Sequence, residues 1–326
     1  MPFVTEFVGP QQPVSSTPPL TAGVLRRTST IDTHPVGTGD SEVDLRARDV
    51  LALEAGSVQV LDEIRVRARL AERVIDTIDA TPPHARLAKL AGSRVGPGFR
   101  SAVAQTLPEE VRRASLLHLL LDDWVGAALV SGYATQVAAI VAGTEQPLPE
   151  GVADRLAGIC AGFAPDASLI GYARRHDIVP SVVGPAAPPL DFDGRGLHEV
   201  KPLRAHGMRR YRRLDLRPGA DGHAEFDAHF RDSHVDADGA ETILHEYTLC
   251  GTLDTAARTL TEVQAQVRVL PWQECPGAIA SAGRAQGMKL SEVRDRVRGE
   301  FVGTSTCTHL NDTVRAVADL DALLNY

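Results

Sequence analysis

Shifting the chain by 183 residues lays residues 25–70 on residues 208–253 without a gap. Thirteen of those 46 positions are identical, among them Arg26/Arg209, Arg27/Arg210, Asp32/Asp215, Asp49/Asp232, Gly56/Gly239, Leu61/Leu244 and Glu63/Glu246. Farther on the shift drifts to 191, and Gly92/Gly283, Gly96/Gly287, His118/His309 and Leu119/Leu310 coincide in the same order. A long gapless match followed by collinear ones marks a unit used twice. It constrains the fold more than length does, although 326 residues already suggest two domains. The expected division is an N-terminal arm over 1–21, a first copy over 22–149, a connector over 150–195 and a second copy over 196–326.

Each copy reads as strands followed by helices. Residues 43–53, 58–70 and 72–80 alternate apolar and polar side chains, as strands do. Their counterparts are residues 224–235, 242–253 and 261–270. Gly56 and Gly239 stand at matching turns, where a positive φ is often required. Helical stretches follow over 84–92, 97–107 and 115–134, and again over 276–283, 289–299 and 307–324. The expected fold class is α+β, a tandem duplication in which each copy is an antiparallel sheet with helices on one face.

Composition narrows the function classes. The net charge of -8 argues against nucleic acid or an anionic membrane as a partner. Of the 34 basic residues only Lys89, Lys201 and Lys289 are lysines, so clustered arginines partly reflect composition. Four cysteines are too few for a disulfide scaffold of this length. The opening residues lack the basic and apolar regions of a secretory signal, and no apolar run reaches the length of a membrane span. The expected setting is cytoplasmic, with reduced thiols, a small-molecule substrate and a possible homodimer.

The chemistry is one-sided. His245 lies on a strand, Cys275 in the turn entering a helix, and Cys307 and His309 at the start of the last helix. In the first copy Asp62 stands for His245 and Leu116 for Cys307, no cysteine matches Cys275, and only His118 persists. Two thiolates and two imidazoles suit one zinc or iron ion, but they are spread over three elements instead of a short knuckle. The same residues also read as packing, with the cysteines as small buried hydrophobes. Glu246 is a candidate general base, although strand alternation turns it away from His245. Cys307 at a helix start beside His309 is a candidate nucleophile with a lowered pKa. Arg209 and Arg210 are a candidate clamp for a substrate anion, weighed against a solvated strand face. Cys160 and Cys250 read as core.

The series H-E-x-x-x-L, P-W-x-x-C, G-x-x-x-G and C-T-H-L over 208–326 resembles a bacterial family of unknown function with similar His, Cys and Cys-Thr-His-Leu motifs. The stretch CPGAIASAGRAQGMKLSEV also resembles the U-type iron–sulfur cluster scaffold proteins. That resemblance implies a sheet-plus-helices fold with a metal site at one edge. His245 then takes the place of the first Cys ligand and Cys275 that of the second. The Cys307–His309 segment takes the place of the His-Cys pair. The match is imperfect. Tyr247 stands where that pattern has an acidic residue, one of its three cysteines becomes a histidine, and Cys307 and His309 are two apart. A thiolate-poor set suits a mononuclear zinc or iron site with an open position better than a cluster.

The leading expectation is therefore a metal-dependent hydrolase or lyase acting on a small organic substrate, with His245, Cys275, Cys307 and His309 as ligands. The alternatives are a binding or scaffold protein for metal, sulfur or a cluster, and a metal-free cysteine-nucleophile enzyme.

Overall fold

The computed structural model describes residues 3–37, 39–190 and 196–326. Eight antiparallel strands form one sheet in the order β4-β3-β2-β1-β5-β6-β7-β8. They are β1 (Leu25–Pro35), β2 (Asp40–Ala52), β3 (Val58–Ala71) and β4 (Val74–Thr81), then β5 (Met208–Pro218), β6 (His223–Val235), β7 (Glu241–Asp254) and β8 (Thr259–Val269). The first three strands of the two halves start 183 residues apart: 208 − 25, 223 − 40 and 241 − 58. Gly56 and Gly239 both carry positive φ, 76° and 88°.

The halves do not form separate sheets, as the sequence suggested. β1 pairs antiparallel with β5, Leu25 opposite Leu216 through Thr33 opposite Met208. Each four-stranded meander would otherwise expose a long edge of unpaired N–H and C=O groups, and pairing the two edges removes that liability.

One sheet face carries the helices. After β4 come α1 (Phe99–Thr106), α2 (Pro108–Arg112), α3 (Leu116–Val130) and α4 (Gly132–Ala142). The connecting region contributes α5 (Val152–Leu156) and α6 (Ser168–His176). The second half adds a 3-10 segment Cys275–Ala285, α7 (Leu290–Glu300), α8 (Thr308–Ala316) and α9 (Leu320–Leu323). Ser115 starts α3 by accepting from the His118 N–H, satisfying one orphan donor of the first turn. Trp124 of α3 is fully buried and meets the Phe99 ring edge-on at 5.7 Å.

Against the sequence expectation, Leu116–Ala142 is long and apolar enough, by length and composition, to cross a membrane. Most of α3 is buried in the core of the first half, where it packs on β1 and β2, whereas α4 buries only Ala134 and Val137 and the apolar window as a whole is 33% buried.

The other sheet face, expected to be open, is covered by extended chain. Arginines of the sheet donate to backbone carbonyls of the arm and connector: Arg26 to Pro18, Arg48 to Leu197, Arg209 to Lys201 and Arg231 to Pro188 and Val14. These bonds satisfy straps that have no secondary structure of their own. His198 lies in one strap, with its ring nitrogens 3.0 and 2.8 Å from the Thr28 and Thr30 hydroxyls.

The seam between the halves is electrostatic. Arg26 pairs with Asp215 across the seam, and the residues 183 positions on reciprocate, Arg209 with Asp32. Arg27 with Asp49 and Arg210 with Asp232 form a second equivalent couple, both two-pronged.

Candidate functional site

The site is built where β6 and β7 lose register. Asp232 faces His245, but Ser233 faces Ile243, so Leu244 is the bulged residue. Leu244 packs with Val130, Ala134 and Met208, which pins the bulge beneath the junction of α3 and α4. Gly184 of the connector lies against the same stretch, and a Cβ there would collide with the Ile243 carbonyl oxygen. Gly184→Ala is therefore expected to lower the stability by about 1–3 kcal/mol, the cost of overpacking. A urea melt checks this, and a midpoint equal to wild type would contradict it.

The second wall is the start of α8. Cys307 is its N-cap residue and His309 lies in its first turn. The turn is tied down by Thr313 Oγ1 donating to the His309 carbonyl at 2.8 Å and Asn311 Nδ2 donating to the Phe301 carbonyl at 2.8 Å. The His309 ring stacks on His245, with centroids 3.5 Å apart and planes 16° from parallel. His245 Nδ1 is 3.5 Å and His309 Nε2 3.9 Å from Asp232 Oδ2. Ligand atoms of these three residues lie within 4.8 Å of one another, and no other such cluster of three occurs among the described residues.

The electrostatics favour metal-ready forms. Burial would raise the Asp232 pKa, but the two-pronged bond from Arg210 outweighs it and holds the carboxyl well below its usual range. Each Asp232 oxygen still has a lone pair free after that bond. Burial, then His245, push His309 well below its usual pKa, so its imidazole is neutral. His245 Nδ1 is buried, and its polar neighbour is Asp232 Oδ2. Both rings retain a little exposure, 12% and 15% of the side chain, whereas Cys307 is 4% exposed.

The expected thiols are next door and not part of this cluster. Cys307 Sγ is 4.0 Å from His309 Nδ1, on the ring edge away from Asp232. Cys275 is buried against Gly162 and Trp272. Cys160, read from sequence as plain core, joins this group, because the Ala161 N–H donates to the Thr306 carbonyl at 2.9 Å and brings its segment beside Cys307. The fully buried Tyr247 lies among these thiols, and its hydroxyl and the Cys307 thiol are hydrogen-bonding neighbours.

The expected low pKa of Cys307 is corrected. Burial raises it, more than the Tyr247 hydroxyl and the Leu310 and His309 N–H groups lower it. Burial also pushes Cys160 up to about 11 and Cys275 higher still. A buried thiol in apolar surroundings is protonated and inert. Cys250 is exposed on β7 and lies outside the site, so its reading as core is also corrected.

Glu246 lies on the opposite sheet face, as alternation implies, and the bulge at Leu244 does not re-aim it. Its carboxylate is fully buried, takes bonds from Arg231 and the Val14 N–H, and lies 2.8 Å from His229 Nε2. Arg209 and Arg210 are buried, at 5% and 2% exposure, so the solvated-face reading fails. Arg209 is spent on Asp32, and Arg210 on Asp232, Asp123 and Asp312. Arg210 thus orients Asp232 instead of facing solvent.

Sequence reasoning missed Asp232, although its identity with Asp49 was a signal. In the first half Asp49 pairs with Asp62, the counterpart of His245, and the Tyr326 hydroxyl is 3.0 Å from Asp49. The helix caps Ser115 and Cys307 are 192 apart, so Leu117, not His118, stands at the first-turn position of His309.

The family model described as "Protein of unknown function (DUF2889)" matches residues 208–322, which span β5 to α9 and contain Asp232, His245, Cys275, Cys307 and His309. No curated protein and no solved structure matches the chain.

Proposed function

We propose that this protein is a metal-dependent enzyme, zinc or iron, acting on a small organic substrate as a hydrolase or lyase. Its centre is His245 and His309, with Asp232 as the third group. The observation that carries this reading is the convergence of two imidazoles and a carboxylate within 4.8 Å in a partly buried site. Ligand atoms about 2.0–2.2 Å from one zinc ion stand roughly 3.3–3.5 Å apart in a tetrahedron, close to the Asp232 contacts. Two histidines and one carboxylate also suit ferrous iron with open positions. An ion held by these residues would supply Lewis acidity to a substrate oxygen or a water. The protein keeps His309 neutral and uses Arg210 to fix the direction of Asp232. Cys307, at the Nδ1 edge of the His309 ring, and Cys275 then serve the wall of the site and not the ion. We further propose that the two halves derive from one duplicated unit, of which only the second kept the site.

The thiol-nucleophile alternative is disfavoured by the burial of Cys307. The cluster-scaffold alternative is disfavoured because Cys160, Cys275 and Cys307 do not bring their sulfur atoms within 4.8 Å of one another as a group among the described residues. Elemental analysis with an absorption spectrum separates them. The expected result is about one zinc or iron per chain in wild type, at least a tenfold loss in His245→Ala, and no change in Cys160→Ser. Bands typical of iron–sulfur clusters would instead favour a scaffold, and metal-free protein purified without chelator would sink the proposal.

A further inference from the structure

Between the helices of the two halves runs a cleft of about 570 Å³, a size that suits small ligands. Its walls come from both halves: the loop before α1, one side of α3, the end of α7 and the start of α8. Val125, Leu129, Val297 and Phe301 make it apolar. Arg73, Arg100, Arg298 and Arg315 also line it, against one lining carboxylate, Asp312.

Two of these arginines are largely unspent. Arg73 makes no ion pair and no side-chain hydrogen bond among the described residues, and Arg298 reaches only Asp295, on its own helix. Arg100 bonds Asp122 through Nε, while its Nη2 comes no closer than 3.6 Å to Asp312. Arg315 is buried and committed to Asp122 and Asp312, with only its Nε lacking a partner. Burial and Arg315 together lower the pKa of Arg100, the sign of a cation with too little compensation. One wall holds Thr308, the neighbour of His309 in the chain, and Asp312, which shares Arg210 with Asp232.

We infer that this cleft binds a small organic anion, a carboxylate or phosphate on an apolar body. Its head lies among Arg73, Arg100 and Arg298, and its body against Leu129 and Phe301. Guanidinium groups suit both heads because they offer paired, planar donors. The name of substrate for this anion rests on the metal-enzyme reading, but the binding itself does not.

Calorimetric titration of the full-length protein with benzoate, phenyl phosphate and inorganic phosphate tests the inference. At least one of the two aromatic anions is expected to bind at least tenfold more tightly than inorganic phosphate, and the stronger of the two identifies the head group. Arg73→Gln/Arg298→Gln, changed at exposed positions that leave the buried network intact, is expected to weaken that binding at least tenfold. His309→Ala is expected to keep it within about threefold, so loss of the metal and loss of the anion site are read separately. Failure of both aromatic anions to bind wild type, equal binding by the double variant, or no preference over inorganic phosphate would each overturn it.

Discussion

Arg210→Met is expected to destabilise the protein by about 3–5 kcal/mol, and in a chain of ordinary stability that leaves little folded. The guanidinium is 2% exposed and holds three carboxylates: Asp232 at 2.8 Å, Asp312 at 2.9 Å and Asp123 at 3.1 Å. Its own charge is stabilised by those neighbours, which raise its pKa well above the usual arginine value despite burial. A neutral side chain leaves Asp232 without its cation and Asp123 with Arg212 alone. The cost of an uncompensated buried charge exceeds the net worth of the pair that was broken, which is why single deletion is harsher than joint replacement. Arg210→Met with Asp232→Asn should therefore be less damaging than the sum of the two changes. Chemical denaturation of the four proteins checks this, and strict additivity would contradict it.

Acid is expected to unfold the protein over a wide pH range, beginning near pH 6.5. His198 is pushed down to about 3, His118 to about 4 and His229 to about 4, each mainly by burial. For His198, Arg48, Arg46 and Arg209 add to the effect and Asp44 opposes it. Above pH 6.5 all three are neutral in both states, so they impose no pH dependence. Below it the unfolded chain takes up protons that the native state refuses, and stability falls until the folded pKa is reached. A group shifted from 6.5 to 4 forfeits on the order of 3 kcal/mol by pH 4. The slope of unfolding free energy between pH 6 and pH 4.5 should thus approach three protons from these histidines, with His234, pushed down to about 4, and His309 adding to it. His198→Gln, which can keep bonds to the Thr28 and Thr30 hydroxyls, should remove about one of them. A flat profile in wild type, or an unchanged slope in the variant, would contradict this account.

The order of elements was legible because its signals are local. Alternation marked three strands of each half but not β1 or β5, and the 183-residue repeat foretold matching strand positions in the two halves. The union of two meanders into one sheet was not legible, because β1 and β5 are too arginine-rich to advertise a buried seam. Those arginines read as solvated, yet each finds a carboxylate placed by the other half or by the neighbouring strand, as Arg26 does with Asp215. The straps escaped notice for a related reason, since their carbonyls are satisfied by side chains far away in sequence.

At the site, His245 was visible through its replacement by Asp62 in the first half, and His309 through the Cys-Thr-His-Leu motif. Asp232 was hidden because a residue common to both halves looks structural, and in Asp49 it remains so. Cys160 was dismissed because nothing in sequence places its segment beside Cys307. Glu246 was rightly suspected of facing away, since a bulge rescues a strand residue only when it falls in the right place, and this one falls at Leu244.

The most direct test of the metal centre is a crystal of the purified protein measured across the zinc and iron absorption edges. The account predicts one anomalous peak per chain, about 2.0–2.2 Å from His309 Nε2 and a His245 ring nitrogen, with Asp232 beside it. A peak held by Cys160, Cys275 and Cys307 instead, or no peak from protein prepared without chelators, would contradict it.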